Sequence, residues 1–362
     1  MTQDKLDVLK ISGEPYERGE KYGKEYSERI GGFSDYLYRE FGGDNTTKEE
    51  FQIHSRRYFP FIEGFSPEIF QELEGIASGS GRPLEEIVMI SLHEERDTYS
   101  NISRNCTTYA ATGAATVDGS TFLGQTWDIT PDLCRSANPF LLKVEREEGP
   151  DFMAYTYPGM IAGAGINEAG IGVSFSSVPR LNFKPGVPSY VMIEGILRQD
   201  KIGDALSKVL QADRAGCFNF ILADETEVYD IEGTPDDVEV FYTSNTFGHT
   251  NHYIAEKFSC EQDICEAGGR SSASSIVRHN RINRLLEENS GNIDKRLLME
   301  ILRDHVNFPQ SICRHPEPVK KDEVGVISCG TWIIDTTNKE FWIAKGPMCE
   351  NEFYEYFKSS EA

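Results

Sequence analysis

Asn105, Cys106, Thr107 and Thr108 open a stretch that ends in Trp127 and Asp128. Its residue types suit a thiol nucleophile with a carboxylate beside it. Apolar runs flank Asp118-Gly119, a pair that takes the positive φ angles of a two-residue hairpin turn, so the stretch predicts two neighbouring strands. The second strand then brings Trp127 and Asp128 back alongside Cys106 to Tyr109. Strict pairing about that turn sets Asp128 opposite Tyr109, and the contact expected is with the backbone or α-amino end of Cys106. A cysteine exposed as a new chain N-terminus by self-cleavage is the chemistry this layout suits. The competing reading of Cys106 is an ordinary buried cysteine, since the free residue packs as a small hydrophobe. Thr107 and Thr108 offer hydroxyls near the scissile bond, although threonines also favour strands for their β-propensity alone.

The elements that must hold these residues divide in character at Cys106. Upstream, charged and aromatic residues recur at helical spacing over 17–41, 49–65 and 67–77. Tyr36, Tyr58, Phe59 and Phe61 are expected there to cover part of an active-site cleft. Downstream, short apolar runs joined by turns predict hairpins: 141–144 into 152–157, 161–166 into 171–178, 218–223 into 228–232, and 325–335 into 340–344. Helical patterns interrupt them at 189–211, 274–288 and 295–306. The Pro-rich stretch 314–319 is expected to be a surface loop.

Composition bounds the function. A chain of 362 residues with 39% hydrophobic content can bury a large core. A net charge of -23 argues against nucleic acid and anionic membrane as partners. The chain has no apolar run of about 18 residues and no basic-then-apolar leader, which predicts a cytoplasmic protein. Its end at Ser359 to Ala362 is not a peroxisomal address. Eight cysteines without a short framework spacing fit reduced thiols. Nothing in the sequence implies a metal, nucleotide or flavin cofactor.

Five blocks in order carry a family resemblance. Gly13, Pro15, Tyr16, Gly19 and Gly23 form the first, and the Cys106 segment the second. Gly165-Ile166-Asn167-Glu168-Ala169-Gly170, His249-Thr250-Asn251-His252 and Ala344-Lys345-Gly346-Pro347 follow. Together they resemble the N-terminal-nucleophile (Ntn) hydrolases, in the penicillin-precursor acyltransferase branch related to choloylglycine hydrolases. The resemblance implies an α+β fold of four αββα layers with two stacked antiparallel sheets. It also implies self-cleavage between Asn105 and Cys106 by an N-to-S acyl shift. The fragments 1–105 and 106–362 would then stay together as small and large chains of one globular unit.

Cys106 would be both nucleophile and base. A thiol titrates near ~8.5 and an α-amino group near ~7.7–8.0, so the amine can take the thiol proton close to neutral pH. By the same resemblance Asp128 orients the α-amino group and Asn251 supplies an oxyanion donor. An arginine is expected from a later helix, where Arg270, Arg278, Arg281 and Arg284 compete; Arg278 is favoured because it follows Ser274 and Ser275. Glu232 matches a family carboxylate position and equally fits a cross-strand structural pair. Many members carry Gly before the cysteine, whereas this chain carries Asn105. The implied reaction hydrolyses or transfers the acyl group of a small non-peptide amide through a thioester, with no metal.

Three other readings stand beside this one. His249, His252, Cys260 and Cys265 are residue types that zinc accepts and would make a metal-binding module. Cys106 with His93 or His249 would make a papain-type thiol enzyme. An uncleaved, non-catalytic relative is the third.

Overall fold

The structure is a computed structural model that describes residues 5–42, 47–96, 105–179, 181–259, 270–316 and 325–358. After strand β1 (Val8–Ser12), the N-terminal part is helical: α1 (Pro15–Glu25), α2 (Ser27–Gly42), α3 (Lys48–Arg56), α4 (Phe59–Phe65), α5 (Pro67–Ser80), α6 (Leu84–Ser91) and α7 (His93–Arg96). Then follow β2 (Thr107–Ala111), β3 (Phe122–Ile129), α8 (Pro131–Ala137), β4 (Phe140–Glu145), β5 (Phe152–Thr156), β6 (Ala164–Asn167), β7 (Gly172–Ser176), α9 (Ser189–Leu197) and α10 (Ile202–Leu210). The chain closes with β8 (Phe218–Ala223), β9 (Val228–Gly233), β10 (Val238–Thr243), β11 (Thr246–His249), α11 (Glu256–Ser259), α12 (Arg270–Glu288), α13 (Lys295–Ile301), β12 (Ile327–Asp335), β13 (Glu340–Lys345) and β14 (Tyr354–Lys358).

Two sheets result, ordered β1-β4-β5-β6-β7-β8-β9-β10 and β11-β2-β3-β12-β13-β14. Every pairing is antiparallel except that of β1 with β4. Side-chain alternation explains why the sheets stack, because each strand sends successive residues to opposite faces. Trp127 and Trp332 point into the gap and meet Tyr155 of the first sheet, with ring centroids at 5.5 and 5.0 Å. Their neighbours Tyr109, Ala111 and Ile333 face outward, where they pack with Ile282 and Leu286 of α12 and Leu298 of α13. The other sheet is covered by α9, α10 and the N-terminal helices. The architecture is therefore the expected α+β arrangement of four αββα layers.

Several expectations change in detail. The helix expected over 17–41 divides at Tyr26, and the one over 189–211 divides after Leu197. Strands β1, β10, β11 and β14 escape notice because none of them has more than two buried residues, too few to set an apolar pattern. Tyr36 and Tyr58 are core residues, and Phe59 and Phe61 pack on that same core. Cys134 and Cys329 form a disulfide across 195 residues, which corrects the expectation of reduced thiols for this pair. No short spacing could have announced it. Among the described residues no helix is long and apolar enough to cross a membrane.

The first resemblance block has a structural explanation. Gly19 and Gly23 on α1 face Gly75 and Gly79 on α5, and the two backbones touch. A Cβ on Gly19 would lie 2.0 Å from the Glu72 carbonyl oxygen, and one on Gly75 would lie 2.2 Å from that of Tyr16. Beside this contact the buried Glu72 carboxylate accepts from Arg18 at 2.9 Å and from Arg198, just past α9, at 2.7 Å. Tyr22 on α1 accepts from the Gly159 N–H at 2.7 Å. The helical segment is thus fastened to the sheets by charge and hydrogen bonds as well as by apolar packing. Gly75→Ala must push the two helices apart and should cost about 1–3 kcal/mol or more, read as a lower urea midpoint. An unchanged midpoint would mean the contact has slack.

Candidate active site

Cys106 sits one residue before β2, and its position is set by the pairing of β2 with β3. The connection between these strands is not a two-residue turn. It runs through a 3-10 turn at Gly113–Ala115 before reaching Asp118, whose carboxylate accepts from the Ser120 N–H at 3.1 Å, and Gly119, whose φ is 85°. The ladder accordingly pairs Thr107 with Thr126. Asp128 comes level with Asn105 rather than Tyr109, and its carbonyl accepts from the Asn105 N–H at 2.9 Å. The register expected from a tight turn is corrected by the extra residues in the loop.

Arg278 is the centre of the site. It projects from α12, is fully buried, and directs all five guanidinium N–H groups at oxygen acceptors. Nε donates to Ser274 Oγ at 3.2 Å. Nη1 donates to the Cys106 carbonyl at 2.5 Å and to Thr107 Oγ1 at 2.9 Å. Nη2 donates to Asn105 Oδ1 at 3.4 Å and to Asn251 Oδ1 at 2.9 Å. Arg281 and Arg284 turn away, to Asp304 and Glu288. The Arg270 side chain lies outside the described residues.

Asn251 grips the Asn105–Cys106 peptide from its nitrogen side. Its Oδ1 accepts from the Cys106 N–H at 2.8 Å, while its Nδ2 donates to the Ser177 carbonyl at 2.9 Å. The loop that carries it is held from two directions. Ser275 Oγ accepts from the Asn251 N–H at 2.8 Å. Glu232 at the end of β9 accepts from the N–H groups of Ile254 and Ala255 and bonds His249 Nε2 at 2.7 Å. Glu232 therefore acts as the brace of the Asn251 loop. Burial pushes His249 down, but Asp230 and Glu232 outweigh it and hold the imidazole above its ordinary range. Thr108 turns to the gap between the sheets and donates to the His249 carbonyl at 3.4 Å.

The acid side of the site is buried too. Asp128 accepts from Ser328 Oγ on β12 at 2.7 Å and from Thr126 Oγ1 at 3.3 Å. Burial raises its carboxyl to about 6, against the pull of Arg314 and Arg278 and those two hydroxyls. Burial likewise pushes the Cys106 thiol up to about 12, and Asp128 adds to the rise. Burial and the Arg314 charge bring Arg278 down to about 9, opposed by Asp128 and Cys106.

Four contributors were not legible in the sequence. Ser328 reaches Asp128 only because β12 pairs with β3. Arg314 was expected in a surface loop, yet it is 3% exposed and donates through Nη2 to Ser274 Oγ at 3.3 Å. Ser177 and Glu94 meet near Cys106, Ser177 Oγ donating to Glu94 Oε2 at 3.0 Å. The charge of Glu94, which comes from the N-terminal segment, is felt at the Cys106 thiol. Among the zinc alternatives, both His249 ring nitrogens are engaged, by Glu232 and the Thr250 carbonyl, and His252 Nδ1 meets Ser275 Oγ at 2.8 Å. Cys260 and Cys265 lie outside the described residues. His93 is buried with Nδ1 on the Ile90 carbonyl at 2.7 Å.

Residues 115–346 match the family described as acyl-coenzyme A:6-aminopenicillanic acid acyl-transferase. The acyl-coenzyme A:6-aminopenicillanic-acid-acyltransferase 40 kDa form of Emericella nidulans is 27% identical over 255 residues, or 68% of this chain and 67% of that protein. Among solved structures, a variant of conjugated bile acid hydrolase from Clostridium perfringens aligns over 71% of this chain and 98% of its own, with 13% identity and a TM-score of 0.48. Penicillin V acylase from Agrobacterium tumefaciens aligns over 72% and 80%, with 9% identity and a TM-score of 0.41.

A carboxyl near 6 in the fold and 3.8 outside it favours the folded state only while protonated. That contribution is full below about pH 4 and is lost as pH rises through about 6. Asp128→Asn cannot ionise and should lack this loss. In a Cys106→Ala background, which keeps both chains the same length, the variant should gain on its parent between about pH 4 and 7 by on the order of 3 kcal/mol. Urea unfolding across that range checks it, and a pH-independent difference would place the ionisation elsewhere.

Proposed function

The chain belongs to the acyl-coenzyme A:6-aminopenicillanic acid acyl-transferase family, and from that premise we propose that it is a self-processing cysteine amidase or acyltransferase acting on a small non-peptide acyl amide. The observation that carries this reading is the set of contacts on either side of the Asn105–Cys106 bond. Asn251 holds its N–H at 2.8 Å, while Arg278 fixes the Asn105 side chain and the Cys106 carbonyl. Asn105, bulkier than glycine, is accommodated because its side-chain oxygen is one of the five acceptors that the buried guanidinium needs.

In the maturation step the Cys106 sulfur attacks the Asn105 carbonyl carbon. The C–N bond breaks as the Cys106 nitrogen takes up a proton, leaving a thioester between Asn105 and Sγ. Water then cleaves the thioester, producing an Asn105 carboxylate, a free thiol and a free α-amine. The Asn251 oxygen that held the amide N–H is in place to accept from the new amine, and the Asp128 carboxylate supplies the negative charge that orients it.

Maturation also changes the electrostatics. In the whole chain the thiol sits near 12 because it is buried beside Asp128. A new α-ammonium offsets that carboxylate and draws the thiol toward neutrality, so the precursor reacts only with its own adjacent peptide and the product with substrate. During turnover the α-amine accepts the thiol proton, Sγ takes the substrate acyl group, and the departing amine leaves with a proton. Water or an acceptor amine then resolves the thioester. The Asn251 amide has two N–H donors, one of them on the Ser177 carbonyl. The second serves the oxyanion. The 1–105 fragment remains bound as the small chain, held by the Glu72–Arg198 ion pair, the Tyr22–Gly159 hydrogen bond and the pairing of β1 with β4.

Denaturing intact-mass measurement with N-terminal sequencing tests the proposal without a substrate. Two chains are expected, the larger beginning Cys-Thr-Thr-Tyr, whereas Cys106→Ala should stay whole and inactive. An uncleaved wild-type chain, or amide turnover by Cys106→Ala, would remove the proposal. Asn251→Ala should depress turnover more than substrate binding, by roughly 2.7–4 kcal/mol in the barrier. Separate determination of kcat and KM is the check, and an unchanged kcat would leave Asn251 a loop former only.

A further inference from the structure

A second cluster of chemically capable side chains lies on the outer side of the second sheet, apart from Cys106. His305 follows α13, Cys313 and His315 flank Arg314, and Cys349 sits in the turn after β13. One ligand atom from each lies within 4.8 Å of all the others. His315 Nε2 is 3.1 Å from His305 Nε2, 3.6 Å from Cys313 Sγ and 3.1 Å from Cys349 Sγ. One ring nitrogen has either one hydrogen or one lone pair, so it cannot satisfy three such partners by hydrogen bonding. A cation at the centre of the four satisfies them all.

The spacing selects the cation. For tetrahedral zinc with Zn–N of about 2.0–2.1 Å and Zn–S of about 2.3 Å, the ligand edges are roughly 3.3–3.4 Å between nitrogens and about 3.6 Å between nitrogen and sulfur. The three His315 Nε2 distances lie within about 0.5 Å of those edges. Two imidazoles and two thiolates in a tetrahedron favour zinc among common divalent ions. The other ring nitrogen of His315, Nδ1, faces Glu350 Oε1 at 3.3 Å, which is the carboxylate support that zinc-bound histidines typically have. We propose that His305, Cys313, His315 and Cys349 form a structural zinc site. Four protein ligands fill the coordination shell, so this metal leaves no position for a reacting water.

Its effect reaches the candidate active site through Arg314. With Cys313 and His315 both clamped, the residue between them is held at its backbone. The Arg314 N–H donates to Ser328 Oγ at 3.0 Å, and that hydroxyl in turn donates to Asp128. The Cys349 turn joins the same point, because the Gly346 N–H donates to the Cys329 carbonyl at 2.9 Å. The metal thus fixes Arg314 as a positioning residue for Asp128.

The test uses the full chain, purified without chelator or immobilised metal and measured by elemental analysis after gel filtration. About one zinc per chain is expected. Cys349→Ser and His305→Ala should each lower the bound zinc at least tenfold while the chain still elutes at its native volume. Wild-type protein stripped and reloaded with cobalt(II) should show thiolate-to-metal charge transfer and the intense d–d absorption of a tetrahedral site. This second measurement stands even if a variant fails to fold. Less than about one tenth of an equivalent after zinc saturation would overturn the proposal. So would zinc retained by the Cys349→Ser/His305→Ala double variant, octahedral cobalt spectra, or a Cys313–Cys349 disulfide in protein never exposed to oxidant.

Discussion

A buried guanidinium organises this site. A cation without water must be surrounded by acceptors, and Arg278 has five: two backbone or side-chain oxygens from the strand start, the amides of Asn105 and Asn251, and the Ser274 hydroxyl. Each acceptor comes from a segment that something else must position. The pairing of β2 with β3 brings Cys106 and Thr107, the Glu232 brace brings Asn251, and the first turns of α12 bring Ser274. The functional constellation is what remains when one charge has been satisfied from every side.

Charge balance gives the site its chemical character. Arg278 and Arg314 act on one buried carboxylate, Asp128, and burial works against the charged forms of both Asp128 and Arg278. The compromise is an Asp128 that titrates near 6 and a neighbouring thiol held protonated. The α-ammonium proposed at Cys106 is a charge to which such a site would respond. The N-terminal segment belongs to the same system. Its glycine-lined helix contact lets α1 and α5 approach at backbone distance, Glu72 ties them to Arg198, and Glu94 brings a carboxylate whose charge is felt at Cys106.

Much of this was legible beforehand, for identifiable reasons. The stacked sheets announced themselves through paired apolar runs, since every core strand must bury at least one face. Cys106, Asp128, Asn251 and Arg278 were named from motif order and lie together. The Gly19 and Gly23 block was visible as a pattern, but its meaning, a close helix contact with Gly75 and Gly79, needs both helices. The short edge strands carry too few inward residues to stand out. The His305, Cys313, His315 and Cys349 cluster has no regular spacing, and only the Cys-Arg-His triplet at 313–315 offered a local sign of it.

Sequence by itself determined the paired strands and the strand that follows Cys106, because periodicity and turn chemistry are local properties, and the order of the five resemblance blocks pointed to the layered fold and the residues of the site. Tertiary structure decided the rest. It chose Arg278 over Arg281 and Arg284, since helix phase sends only one of them inward. It moved Asp128 level with Asn105, since the loop between β2 and β3 is longer than a tight turn. It joined Cys134 to Cys329 and brought Ser328 and Arg314 to Asp128. Those contacts are set by which distant strands share an edge, and no window along the chain contains that information.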